Sequence, residues 1–344
     1  MRKNLFIVLI TCVLVLSACL EEYKVPVNQK TQQLVIEALL TDEVTSDLPS
    51  IKLSLTEQFG NTYSYKPVSG AFVQITDNEG KKTILQSVGS LQGVYQVNDF
   101  RFQAKVGKTY KLTVKLPDGR TYESPNEPML TPVQISKLTA VFDNPVTRDA
   151  LGIPNYRVFS EFQDPKNKDD FYRWNAWGVY KRKSTGVICS FGLNLCNERC
   201  WLKKEDFGVN LFSDFGVDGK LIRNKAVFES PIYFYGKHYI EITQFTISRG
   251  AYQFWQRFLQ QTGRSGTIFD PIPAPISGNL VNIANEADVA LGYFEVASIA
   301  RKRLEIPGDT LQGKLDFEKF IIPKGDCSIV FPKGVPDRFA PPGW

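Results

Sequence analysis

Histidine is nearly absent from this 344-residue chain, with His238 as its single representative. No G-x-S-x-G elbow, H-E-x-x-H pair or phosphate-cradling glycine loop accompanies it. His238 stands in the aromatic run Tyr233-Phe234-Tyr235-Gly236-Lys237-His238-Tyr239, where a lone imidazole reads as structural. Basic blocks are equally scarce. Lys181-Arg182-Lys183 and Arg301-Lys302-Arg303 are short and lack interleaved aromatics. They read as solvated strand ends or turns, which argues against nucleic acid as a partner. The C-x2-C knuckles of a thiolate zinc site are missing. Asp77-Asn78-Glu79-Gly80 lacks the alternating oxygen ligands of a calcium loop and reads as a plain turn. Collagen-like and helical-array periods are absent too. These absences leave no expected cofactor, no expected metal and little catalytic machinery.

What is present begins with an address. Arg2 and Lys3 precede an apolar run from Leu5 to Leu16, followed by Ser17-Ala18-Cys19. Charged start, short apolar middle and small residues before a cut make an export signal, and the run is too short to anchor the chain by itself. A cysteine directly after Ser-Ala resembles the bacterial lipobox, so Cys19 is the expected lipidation site and residues 1–18 the signal peptide. Residues 19–30 are polar and proline-broken and read as a tether. Glu21 and Glu22 behind the lipid resemble the acidic signal that sends Bacteroidetes lipoproteins to the outer face of the outer membrane. The formal charge of +5 loses two cations with the signal, leaving a nearly neutral +3. Cys12 leaves with the signal as well. Cys189, Cys196, Cys200 and Cys327 remain as candidates for two disulfides in an oxidising compartment, with three pairings open.

The pattern from Leu34 onward has period two. Leu34–Leu40, Ile51–Leu55 and Ala71–Ile75 alternate as strands, with hairpin turns at Asp77–Gly80 and Pro117–Gly119. Seven or eight short strands predict an immunoglobulin-like or transthyretin-like β-sandwich, assigned to residues 31–130 with its strands over about 31–128. Pro125, Pro128 and Pro132 mark a boundary. A larger β-rich domain is expected over 131–344, making the fold class all-β. Tyr156–Phe162 and Phe171–Tyr180 read as the two arms of a long aromatic hairpin, more suited to a core than to an exposed sugar platform. Asp169-Asp170 beside the intervening turn read as solvated. One helix is expected near 250–262, because Ser248 can cap it, residues 251, 254, 255, 258 and 259 share a face, and Gly263 stops it.

Several stretches together resemble a Bacteroidetes outer-membrane lipoprotein family, domain of unknown function 4249. They include Leu34–Asp42, Pro67–Ala71, Gly107–Leu112, Phe162-Gln163-Asp164-Pro165, Tyr172-Arg173-Trp174, Phe269-Asp270-Pro271, Ser277-Gly278-Asn279 and Leu291–Val296. The resemblance implies a neighbouring TonB-dependent transporter of the SusC type as partner. The expected role is a non-catalytic accessory or binding lipoprotein, anchored by Cys19 and facing the cell exterior. A carbohydrate-active enzyme and a free-standing structural surface protein are the alternatives. Substituting Cys19→Ala should abolish labelling by a fatty-acid analogue, because the acyl chains supply the anchor. Label persisting on that variant would refute the lipoprotein reading.

Overall fold

The computed structural model describes residues 32–43, 50–56, 66–89, 91–97, 102–143, 153–188, 195–263, 276–308, 325, 327–336 and 339–344. The first part of the chain forms β1 (Leu34–Thr41), β2 (Ser50–Leu55), β3 (Lys66–Pro67), β4 (Phe72–Asp77), β5 (Lys82–Ser87), β6 (Val94–Val97), β7 (Thr109–Lys115), β8 (Thr121–Glu123) and β9 (Glu127–Pro128). There follow β10 (Ile135–Asp143), β11 (Asn155–Gln163), β12 (Phe171–Ile188), β13 (Leu195–Ser213), β14 (Leu221–Pro231) and β15 (His238–Ile247). Helix α1 (Arg249–Thr262) leads to β16 (Ser277–Asn282) and β17 (Asn285–Ile306), and β18 (Val335–Pro336) comes last. A four-residue helical turn, Cys327–Val330, precedes β18.

The expected all-β class holds, but an immunoglobulin-like or transthyretin-like sandwich is not what residues 31–128 form. Nine strands close into a ring in the order β1-β2-β6-β5-β4-β7-β8-β16-β17, with β17 returning to β1. Two of the nine, β16 and β17, come from beyond the proline-marked boundary. The physical reason is edge satisfaction. The outer rims of β1 and β8 would carry unpaired backbone groups, and β17 and β16 supply their partners. The closing pair is parallel, running from Val35 opposite Leu291 to Thr41 opposite Ala297. Alternation then fills the ring, with Ile36, Leu53, Val73, Leu112, Val114 and Phe294 in one buried cluster.

β17 is the strand everything shares. Its first residues pair with β16, its middle with β1, and residues Ser298 to Ile306 with β15. Through β15 it joins a second sheet ordered β17-β15-β12-β13-β18. A three-stranded sheet, β10-β11-β14, lies against one face of it. Even-numbered residues Tyr172, Trp174, Ile240 and Ile242 pack with Val158 and Phe162 in the core between these layers. Odd-numbered Phe171, Phe245, Ile247 and Tyr293 face α1 and pack against Ala251 and Phe254. Period two thus builds two cores from one set of strands. The expected hairpin of Tyr156–Phe162 with Phe171–Tyr180 is corrected: β12 pairs with β13 and β15, whereas β11 pairs with β10 and β14. Periodicity identifies each strand but is blind to its neighbour.

Helix α1 begins as its residues require. The Ser248 side chain accepts a hydrogen bond from the Ala251 N–H, and Gly263 closes the helix by donating to the Leu259 carbonyl. Both hairpin turns form as well, with the Asp77 carboxylate accepting from the backbone N–H groups of Glu79 and Lys81.

The ring's seam depends on two glycines. Gly292 adopts φ +84°, and a Cβ there would stand 2.2 Å from the Ile36 carbonyl oxygen; a Cβ on Gly278 would stand 1.9 Å from the Gly292 carbonyl oxygen. Gly292→Ala should therefore destabilise the protein by about 3 kcal/mol or more, since left-handed strain and overpacking each cost roughly 1–3 kcal/mol. Gly80→Ala is the control, because Gly80 has φ +82° with nothing within 4 Å of a Cβ. It should cost only the strain. Equal losses for the two variants in denaturant unfolding would contradict the seam as described.

Candidate functional site

Where the ring meets the second sheet, α1 roofs a cleft of about 630 Å³. That size falls in the usual range for ligand cavities. Its walls are mainly apolar: Val35 and Leu39 from β1, Phe254, Trp255 and Phe258 from α1, and Tyr293 from β17. Odd positions of β12 and β17 face the helix, so Arg173 and Glu295 point into this region. They meet there as an ion pair, with Arg173 Nη2 2.8 Å from Glu295 Oε1 and side chains only 8% and 4% exposed. The Arg173 guanidinium also lies 4.2 Å from the Phe245 ring centroid and 5.2 Å from that of Trp255. Asn175 accepts from Nη1 at 2.9 Å, and Trp255 Nε1 donates to Glu295 Oε2. Arg173 Nε has no hydrogen-bond acceptor and is closed to solvent. The cleft therefore has greasy walls and one polar anchor, with an unused donor beside it.

A second buried network holds the roof in place. Glu127 accepts from Ser248 Oγ at 2.8 Å, from Tyr293 OH at 2.8 Å and from Asn279 Nδ2 at 3.0 Å. This one carboxylate ties the helix cap to β16 and β17. Burial and the Glu127 charge push the Tyr293 phenol well above its ordinary range, so it stays a donor.

Other candidates resolve differently. His238 is buried, with Nδ1 2.7 Å from Ser230 Oγ. Tyr156 packs edge-on against its ring and Tyr180 stacks on it. Burial pushes its pKa down to about 3, so the imidazole is neutral. Ser230 and His238 are 0% and 1% exposed, which closes this pair to any substrate. Asp169 is exposed and pairs with Arg249, but Asp170 is buried rather than solvated. Cys200 and Cys327 form a disulfide with Cα atoms 5.7 Å apart, linking positions 127 residues apart. Cys196 falls on β13, but its side chain lies outside the described residues, as do Cys19, Glu21, Glu22 and Cys189 entirely.

Sequence reasoning did not single out Arg173, Trp255 or Glu295 as a group. A signal was available: Glu295 interrupts the apolar run Tyr293-Phe294-Glu295-Val296-Ala297, and Arg173 sits between Tyr172 and Trp174. A charge inside a buried strand needs a partner. Which partner is a matter of tertiary structure.

The closed ring, the two facing sheets and the helix over their junction define an all-β protein with an apolar cleft at the join. The chain belongs to the family described as Domain of unknown function (DUF4249), whose model matches residues 20–303. The match spans the ring, α1 and the second sheet apart from β18 and the last three residues of β17. No curated protein matches the chain.

The pairing at the cleft floor leads to a quantitative expectation. Glu295→Ala should destabilise the protein by about 3–5 kcal/mol, because it strands the Arg173 guanidinium as an uncompensated buried charge. Replacing both partners together, Arg173→Met with Glu295→Leu, should cost less than the single change. A double-mutant cycle by urea unfolding checks this, and strict additivity would show that the pair is not coupled.

Proposed function

We propose that this protein is a lipid-anchored accessory subunit of the outer membrane that holds a ligand for a TonB-dependent transporter of the SusC type. The observation that carries the reading is the apolar cleft with its Arg173–Glu295–Trp255 floor. Such a cavity favours a ligand with an apolar body, and the Arg173–Glu295 pair is the polar feature of its floor. The second reading, a carbohydrate-active enzyme, would need a pair of carboxylates flanking the scissile bond. Of the cleft's carboxylates, Glu295 is engaged by Arg173 and Trp255, and Glu37 lies 3.4 Å from the Lys52 ammonium.

The location rests on the lipobox-like Leu16-Ser17-Ala18-Cys19 and on Glu21-Glu22 behind it. The partner rests on the family resemblance. A lipid confines the chain to the plane of an integral partner, so effective concentration lets a weak interface stay occupied. No helix among the described residues is long and apolar enough to cross a membrane; the anchor in this scheme rests on the lipobox-like Cys19.

An affinity-tagged copy at native expression, extracted in mild detergent, should bring down a large outer-membrane barrel in near-equal amount. Deleting the gene should impair growth on one specific nutrient, and Trp255→Ala should reproduce that defect while the complex still assembles. A chain that emerges alone even after cross-linking would remove the accessory role.

A further inference from the structure

A second chemical feature lies outside the cleft, where the β11–β12 connection meets the β13–β14 turn. Asp164 follows β11, Asp170 precedes β12, and Asp214 follows β13. One ligand oxygen from each carboxylate lies within 4.8 Å of the other two. All three residues are buried, at 1%, 7% and 3% exposure. Asp164 is held in position: Tyr172 OH donates to its Oδ1 at 2.7 Å and the Gly219 N–H to its Oδ2 at 2.9 Å. The other two have capacity to spare. Asp170 Oδ2 and Asp214 Oδ2 are both sealed from solvent with no hydrogen-bond donor.

Three converging carboxylates of one sign, two with orphaned buried oxygens, are costly to keep unless something positive sits among them. Among the described residues, no cationic side chain makes an ion pair with these three carboxylates. Lys168 contributes a field that favours ionised Asp170, but its side chain is exposed, and Asp218 opposes it.

We propose that Asp164, Asp170 and Asp214 form a binding site for a hard divalent cation, calcium in the first place. The donor set is all oxygen, which suits calcium or magnesium and not the softer metals. The ligand oxygens lie within 4.8 Å of one another, close enough to share one ion at calcium–oxygen distances of about 2.3–2.6 Å, whereas magnesium dehydrates reluctantly and is seldom held by an all-protein cage. Calcium also accepts further ligands from backbone carbonyls and water, so three carboxylates are an adequate core. Bound there, the ion joins the two loops. Its net effect is to pin the ends of β11, β12 and β13, the strands that carry the Tyr172–Trp174–Phe162 part of the core.

The test uses the full chain in detergent, freed of metal with a chelator and dialysed at pH 7.5. Calcium chloride should bind at one ion per chain by equilibrium dialysis and raise the thermal midpoint, with equal magnesium giving a smaller shift. Asp170→Asn should weaken calcium binding at least tenfold. Without metal, the same variant should melt at or above the metal-free wild type, because a repelling charge has gone. That last readout separates a ligand from a merely structural carboxylate, and Asp214→Asn provides a second variant should the first fail to fold. Absence of bound calcium at 1 mM, or a calcium shift undiminished in both variants, would overturn the proposal. A magnesium shift as large as that of calcium would overturn the choice of ion.

Discussion

The architecture depends on the parallel pairing of β1 with the middle of β17. It closes the ring, and by carrying β17 onward to β15 it fuses the ring to the second sheet. Just beyond the pair, the Asp42 carboxylate accepts from the Ile299 N–H across 257 residues. Such a contact is paid for in loop-closure entropy that grows only slowly with chain length, so the strand pair and the burial it permits outweigh it. Close approach is the constraint. Gly278 and Gly292 let three backbones lie where side chains would collide.

The cleft follows from that seam. Because β17 alternates, Phe294 and Val296 enter the ring core while Tyr293 and Ala297 face the helix, and Glu295 shares the helix side. Packing on both faces leaves no room for a wide polar surface at the junction. The charges that do occur there are consequently paired in full view of aromatic rings, Arg173 over Phe245 and Trp255. Glu127 plays the matching role for the roof. These groups specify one arrangement of helix against sheet, since a shifted helix would leave buried carboxylates without donors.

The same logic separates two of the polar features among the described residues. At the cleft, opposite charges satisfy one another and leave a single donor unused. At Asp164, Asp170 and Asp214, like charges meet and leave two acceptors unused. One arrangement suits an amphipathic ligand, the other a cation. His238, the residue that draws the eye in a histidine-poor chain, belongs to neither, because its hydroxyl partner and flanking rings enclose it.

Much of the local structure was legible in the sequence by itself. Period-two alternation marked the strands, turn residues marked both early hairpins, and Ser248 with Gly263 bracketed the helix, because backbone geometry and caps act over a few residues. The family was legible too, through the order of many weak stretches, and so was the involvement of Cys200 and Cys327 in cross-linking. Only the tertiary structure decided that β16 and β17 complete a ring begun by β1, that β12 pairs with β13 rather than β11, and that Cys200 is the partner of Cys327. It alone brought Arg173 to Glu295 and Asp164 to Asp170 and Asp214. The reason is physical: a residue's face is set by its neighbours in the chain, whereas its partner is set by which distant edges and charges would otherwise be left buried and unsatisfied.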